Sequence, residues 1–314
     1  HREHAQRLVV LDEPHAAHVG GEVVDDLGPG EGPLAGRLVG EVELEVFHAG
    51  VTPIEWIMKK SDHSGRTGIN KGESCVGCHE EKGGLNFDMK RLAGKELEPV
   101  GAPKTMTFPV TVQSAYDKDN LYIRLSFKAP DDAAADAPRE EKDPKHTVKA
   151  AMMLIGAKVP MAAQVGCWAT CHADVRSMPG ADKDKKKYVS NANMADGNYT
   201  DYFQWKSGEG GKGAVQLDGH VAEARVNKDG KALVKAEGEN KGGVWTVTFT
   251  RKLSGGDGDL ALAEGQTVPF GIAIHTDKTV FRFHHVSLGY TLGLGANGVV
   301  IITTKKGSSF LSFN

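Results

Sequence analysis

All four cysteines of the chain fall in two clusters, Cys75-Val-Gly-Cys78-His79 and Cys167-Trp-Ala-Thr-Cys171-His172. The first has the C-x-x-C-H spacing of c-type haem attachment. The second holds one more residue between its cysteines and keeps the adjacent histidine. Two thiols add across the two vinyl groups of a haem and hold the macrocycle by thioether bonds. The histidine that follows then offers its imidazole to the iron as proximal ligand. Cys75, Cys78, Cys167 and Cys171 are therefore candidate attachment residues for two covalent haems c, with His79 and His172 as proximal ligands. Three other readings use the same thiols. A single tetrathiolate zinc site would have to bridge the 88 residues between the pairs, and it leaves both histidines idle. A thioredoxin-like redox pair needs a strand–turn–helix setting that neither cluster has. Two disulfides also give the histidines no task. Haem accounts for every residue type in both clusters.

An electron-transfer haem has an axial ligand on each face of its iron, commonly His or Met. His63 lies twelve residues before Cys75, close enough to cap a haem held by the same loop. His275 ends an apolar run, Val268 to Ile274. His284 and His285 fall in Phe281-Arg-Phe-His-His-Val-Ser, read as mid-strand, where successive side chains face opposite sides of a sheet. One of that pair is expected to point inward and the other outward. These four are the distal candidates; Met152, Met153, Met161 and Met178 are the thioether alternatives. His15, His18 and His48 lie in an acidic N-terminal stretch and are set aside. Spare histidines in the C-terminal half would also suit an additional, non-covalent haem.

The elements that must carry these residues are mostly strands. The 314 residues include 39 Gly and 13 Pro, with a hydrophobic fraction of 39%, enough to bury a core. Residues 1–52 read as an irregular acidic extension. Its first 50 residues hold ten Asp/Glu against three Lys/Arg, although Gly40 to Phe47 alternates enough for a short strand. Residues 53–180 carry the first haem region, the front strands and the second haem loop, and residues 181–314 the remaining strands. Ile54 to His63 leads into the first haem loop, and Met89 to Leu97 is expected to form a small helix. Period-two runs at Thr107–Gln113 and Asn120–Phe127 predict a hairpin. Further strands are expected at Val148–Leu154, Ala214–Leu217, Ala232–Ala236, Val244–Arg251, Thr267–Ile274, Val280–Ser287 and Gly298–Thr304. Asp131–Lys145 and the basic run Ala181–Lys187 read as surface loops. Strands at this spacing predict a mainly β fold: an antiparallel β-sandwich with haem-bearing loops and a few short helices.

Several of these runs together resemble a known family. Glu55-Trp-Ile-Met-Lys, Glu73-Ser-Cys-Val-Gly-Cys-His79, Gly166-Cys-Trp-Ala-Thr-Cys-His172, Phe270-Gly-Ile-Ala-Ile-His275 and Phe283-His-His-Val-Ser-Leu-Gly-Tyr-Thr-Leu-Gly-Leu294 are similar to the ethylbenzene dehydrogenase-related c-type cytochromes. Their haem-binding domain is similar to the γ subunits of ethylbenzene and dimethyl sulfide dehydrogenases. The resemblance spans about residues 53 to 295. It implies an antiparallel β-sandwich, a periplasmic location and one-electron transfer. In the γ subunits proper a haem b is held by Met and Lys. Two attachment motifs stand here instead, so that ligation is not carried over.

The function expected is a dihaem electron carrier or electron-transfer subunit, exchanging electrons with a dehydrogenase, a reductase or another cytochrome. Two alternatives remain: a haem enzyme with one open iron acting on a small inorganic substrate, and a structural haem subunit of a filament or large respiratory assembly. A net charge of −3 leaves no electrostatic footprint for nucleic acid. No apolar run reaches the roughly 18 residues that cross a bilayer. Gly208-Glu-Gly-Gly-Lys-Gly213 lacks the ending of a phosphate loop. Covalent haem attachment takes place outside the cytoplasm, so a periplasmic or otherwise exported protein is expected, with no export signal visible in this chain.

Overall fold

The computed structural model describes residues 41–50, 52–54, 65–81, 84–88, 103–133, 135–171, 188–209, 214–228, 234–295 and 302–304. His63, His172, Met178 and the expected helix Met89–Leu97 lie outside them, as do Ala181–Lys187 and most of Ile54–His63. The described chain is mainly antiparallel β, as its alternation predicts. The principal strands are β1 (Glu41–His48), β4 (Thr107–Tyr116), β5 (Asn120–Lys128), β6 (Lys149–Ile155), β7 (Thr200–Ser207), β8 (Ala214–Val221) and β9 (Arg225–Asn227). They continue with β10 (Val234–Lys241), β11 (Val244–Lys252), β12 (Thr267–His275), β13 (His285–Ser287), β14 (Tyr290–Leu294) and β15 (Ile302–Thr304). A two-stranded ribbon, β2 (Glu80–Glu81) and β3 (Gly84–Leu85), stands apart. Four short helices are α1 (Gly65–Asn70), α2 (Val76–His79), α3 (Ala162–Val165) and α4 (Trp168–Cys171).

One hydrogen-bonded path runs β10-β11-β5-β4-β1-β13-β12-β6-β7-β8-β9, with β14 joining β12 to the parallel strand β15. The strands form where the chain alternates. Leu121, Ile123, Leu125 and Phe127 of β5 are buried while their neighbours face outward, and Val110 and Val112 of β4 sit opposite on the same core. The sheet curls so that its distant strands meet face to face. Phe203 of β7 packs edge-on against Phe249 of β11 at 5.0 Å, and Trp205 meets Trp245 at 5.7 Å. Gly238 of β10 admits the Trp205 indole, since a Cβ there would stand 2.4 Å from the ring.

Two strands differ from the expectation, and the strand expected at Gly40–Phe47 forms but takes an unexpected place. Glu41–His48, inside the acidic N-terminal stretch, pairs with both β4 and β13 and buries Leu44, Val46 and Phe47 in the middle of the sheet. β7 gave no strand signal, because Thr200, Asp201 and Ser207 are polar yet buried. The run Val280–Ser287 is strand only from His285 onward. Asp277, Lys278 and Phe281 have φ of 49°, 59° and 54°, which bends the preceding backbone away from any ladder. The Thr279 hydroxyl sits within this loop, 2.7 Å from the Thr276 carbonyl and 2.6 Å from that of Phe283. His284 is therefore a loop residue, and strict strand alternation does not apply to it.

Candidate functional site

The first cluster forms a single helical turn. Cys78 and His79 both donate backbone N–H to the Cys75 carbonyl, at 3.1 and 2.9 Å, and the Ser74 hydroxyl accepts from Gly77 N at 3.3 Å. Cys75 and Cys78, three residues apart on that turn, share a face. Burial pushes the Cys75 thiol up to about 12, with Cys78 adding to the shift. His79 is anchored from behind: its Nδ1 lies 3.1 Å from Asn86 Oδ1, and Asn86 N donates to the His79 carbonyl at 2.9 Å. An amide oxygen at Nδ1 makes that nitrogen the donor, which leaves Nε2 as the nitrogen that could ligate a metal.

The second cluster is also one helical turn, and this explains its longer spacing. Thr170 N and Cys171 N both donate to the Cys167 carbonyl at 3.0 Å. At 3.6 residues per turn, cysteines four apart share a helix face as cysteines three apart do. Cys167 is buried directly over Gly271 of β12, where a Cβ would stand 2.5 Å from Cys167 N and 3.1 Å from its Sγ. Burial raises both thiols, Cys171 to about 11 with Arg225 pulling the other way. No disulfide joins any two of the four cysteines, and they do not gather into one tetrathiolate site.

The two helical turns are neighbours. Cys75 N donates to the Gln164 carbonyl at 3.2 Å, three residues before Cys167. A file of rings continues the connection. His79 lies 4.7 Å from Phe87, Phe87 lies 4.9 Å from Phe47, and Phe47 lies 5.3 Å from Trp168, the last two contacts edge-on. Trp168 is held by a 3.0 Å bond from its Nε1 to the Thr52 carbonyl. Phe47 is the centre of this file, and its central place in the sheet was not apparent from the surrounding acidic composition.

Four of the described histidines form two pairs. His285 points into the core, 4.8 Å from Phe108 and 5.8 Å from His48, with Nε2 2.8 Å from the Thr105 carbonyl. Burial lowers His48 to about 3 and His285 to about 4; the His285 and His284 rings lower His48 further, and His284 lowers His285. This pair is wedged between Phe108 and Phe283, the latter 6.3 Å from His48. His275 and His284 form the second pair, with ring centroids 5.0 Å apart. Burial lowers both of them, His275 far below its usual value, although each ring keeps part of its surface exposed. Burial thus favours the neutral form of both rings, the form in which imidazole binds a metal. His275 Nδ1 has no hydrogen-bond partner among the described residues. Of the thioether alternatives, Met152 is buried in the core, Met153 is half-buried, and Met161 opens α3 in a left-handed conformation.

One group of three or more metal-ligating side chains occurs among the described residues: Asp201, Asp218 and Asp259, all buried. Protein cations already serve it. Arg251 donates to Asp201 Oδ2 from Nε at 3.0 Å and from its terminal nitrogen at 2.5 Å, and Lys228 donates to Asp259. It is a charge network that ties β7 to β11.

The geometry fits covalent haem. Each thiol pair shares a helical turn, and the histidine that follows the first pair is held through Nδ1. Sequence comparison agrees. A family described as ethylbenzene dehydrogenase matches residues 85–241. Cytochrome c-552 of Stutzerimonas stutzeri is 45% identical over 262 residues, covering 83% of this chain and 87% of that protein. Cytochrome c-551 of Rhodocyclus tenuis is 44% identical over 253 residues, covering 81% and 91%. Among solved structures, a family 9 carbohydrate-binding module from Caldicellulosiruptor kristjanssonii is 7% identical over 65% of this chain and 80% of that one, with a TM-score of 0.28. The chain belongs to the ethylbenzene dehydrogenase-related family of c-type cytochromes.

Proposed function

We propose that this c-type cytochrome is a dihaem electron carrier working outside the cytoplasm, passing single electrons between a dehydrogenase or reductase and a further redox protein. Covalently bound haem c supplies the one-electron chemistry. Cys75 and Cys78 hold one group and Cys167 and Cys171 the other, with His79 and His172 as proximal ligands. The single observation that carries the dihaem reading is the adjacency of two equivalent helical turns, joined by the Cys75–Gln164 bond and by the ring file from His79 to Trp168.

Of the distal candidates, His284 fits best. Its Nδ1 is 2.6 Å from the Phe281 carbonyl, so that nitrogen is the donor and Nε2 is the ligating atom, the arrangement found at His79. His275 bonds the same carbonyl through Nε2, which suits a neighbour that steers His284 rather than a ligand. His285 and His48 are packed between Phe108 and Phe283, so no third haem is assigned to them. His63 stays a candidate for the first haem.

Carbon monoxide binding to the reduced protein tests the carrier reading. Irons with both axial positions filled do not bind it, and an unchanged spectrum is expected. Stoichiometric binding to one haem would favour the enzyme alternative instead.

A further inference from the structure

Both attachment turns stand on one face of the sheet, and the strand register orders that face. Phe47 of β1 lies beside Val286 of β13, Val286 beside Ala273 of β12, and Ala273 beside Ala151 of β6. Residues paired in this way point their side chains to the same side. Trp168 packs on Phe47, so α4 lies over this face, and Cys167 covers it at Gly271, two residues back along β12 from Ala273. His275, two residues forward of Ala273, stands at the other end. Gly271 and His275 are thus about 13 Å apart, at a rise of about 3.3 Å per residue. A thioether-linked macrocycle and one imidazole span such a gap together.

His284 belongs to the His275 end. Ile274 pairs with His285, which leaves His284 beside His275, and the two rings lie 5.0 Å apart. The His284 carbonyl faces β1, where it accepts from His48 Nδ1 at 3.2 Å, while its ring faces His275 of β12. These two strands are covered unequally. On β1, Phe47 is fully buried, and so is Ala49, the next residue on the same side. Phe87 and Trp168 both stand on Phe47, and Trp168 is fixed by its bond to the Thr52 carbonyl. On β12, Ala273 and His275 keep part of their surface open, as does His284. The first attachment turn is held at the opposite end of β1, where Glu45 accepts from Leu85 N at 3.1 Å and Phe87 meets His79. The rings on Phe47 therefore stand between His79 and His284. The open ground beside His284 runs along β12 towards Cys167.

We propose that His284 is the distal ligand of the haem attached at Cys167 and Cys171, and not of the haem attached at Cys75 and Cys78. This rests on the readings of both clusters as attachment sites and of His284 as a ligand. The first haem then takes its distal ligand from elsewhere in the chain, and the His275–His284 pair acts on one haem alone.

The test introduces His284→Ala into two single-haem backgrounds, Cys75→Ser/Cys78→Ser and Cys167→Ser/Cys171→Ser, each checked by intact mass. Spin state is read by absorption and electron paramagnetic resonance, and carbon monoxide binding by titration of the reduced protein. In the background that keeps the second haem, the substitution is expected to convert that haem to high spin and admit one equivalent of carbon monoxide. In the background that keeps the first haem, it should change neither readout. Conversion of the first haem alone, or of both, would overturn the proposal. No conversion in either background would instead sink His284 as a ligand, and a wild-type mass with a single haem would sink the second attachment site. If a background does not mature, the dihaem protein carrying His284→Ala with Asn86→Leu decides the matter. Asn86 bonds His79, so its loss should move the potential of the haem that stays low-spin and leave the high-spin haem in place. A shift of the high-spin haem instead would overturn the proposal.

Discussion

His275 and His284 share one acceptor. Both imidazoles bond the Phe281 carbonyl, at 3.2 and 2.6 Å, His275 through Nε2 and His284 through Nδ1. The carbonyl is aimed at them because Phe281 adopts φ of 54°, a conformation that a bulky residue enters only under constraint from its surroundings. The two rings thus present opposite nitrogens, and only His284 offers the Nε2 geometry seen at His79. His284→Ala should convert one haem from low to high spin and open it to carbon monoxide, read by absorption and electron paramagnetic resonance. His275→Ala should keep the low-spin state, and His285→Phe should leave both spectra unchanged. A spin change in His275→Ala alone would exchange the two roles.

Asn86 controls the electron richness of His79. A hydrogen bond accepted from Nδ1 raises the basicity of the ligating imidazole and favours ferric iron. Asn86→Leu should therefore raise the midpoint potential of one haem and leave the other in place, as measured by spectroelectrochemical titration.

The two cysteine clusters were legible in the sequence because they are local. Each is one helical turn, in which thiols three or four residues apart share a face. The partners of the histidines were not legible, because sheet pairing brings them from afar. His48 meets the His284 carbonyl across 236 residues, and Trp168 reaches Thr52 across 116. His48 was set aside for the acidic composition around it, yet its strand lies at the centre of the sheet. β7 escaped notice for the opposite reason. Its Asp201 and Lys206 look like surface residues, but one is paired with Arg251 in the core and the other is half-buried beside Lys149. Strands of the regular hairpin β4–β5 were read nearly to their ends, since one face is core and the other is not.

The Arg251–Asp201 pair is fully buried, with Asp201 also accepting from Leu260 N at 3.1 Å. Removing one partner strands the other charge in the core. Arg251→Met should destabilise the fold by about 3–5 kcal/mol in urea unfolding, while the haem spectra of the remaining native protein stay unchanged.

Asp117 closes the β4–β5 hairpin. Its carboxylate accepts from Asp119 N at 2.8 Å, from Asn120 N at 2.7 Å and from the Tyr122 hydroxyl at 2.7 Å. Partial burial acts to raise its pKa, but these hydrogen bonds prevail and hold it below the usual carboxylate value. A carboxyl depressed in the folded state stabilises above its unfolded value of 3.8 and loses that contribution as pH falls below it. Asp117→Ala should cost about 1–2 kcal/mol at pH 7 and progressively less below pH ~4, measured as the difference in urea midpoint from wild type. Asp117→Asn should recover part of the loss, since its amide oxygen still accepts from the backbone.

Two covalent haems on adjacent helical turns would add a fixed mass to the chain. The most direct measurement is the intact mass, under denaturing conditions, of protein matured with its haem, alongside Cys75→Ser/Cys78→Ser and Cys167→Ser/Cys171→Ser. An excess of two haems is expected for the wild type and of one for each double variant. A wild-type excess of one haem, lost with the first pair and untouched by the second, would contradict it and leave Cys167 and Cys171 as thiols of another kind.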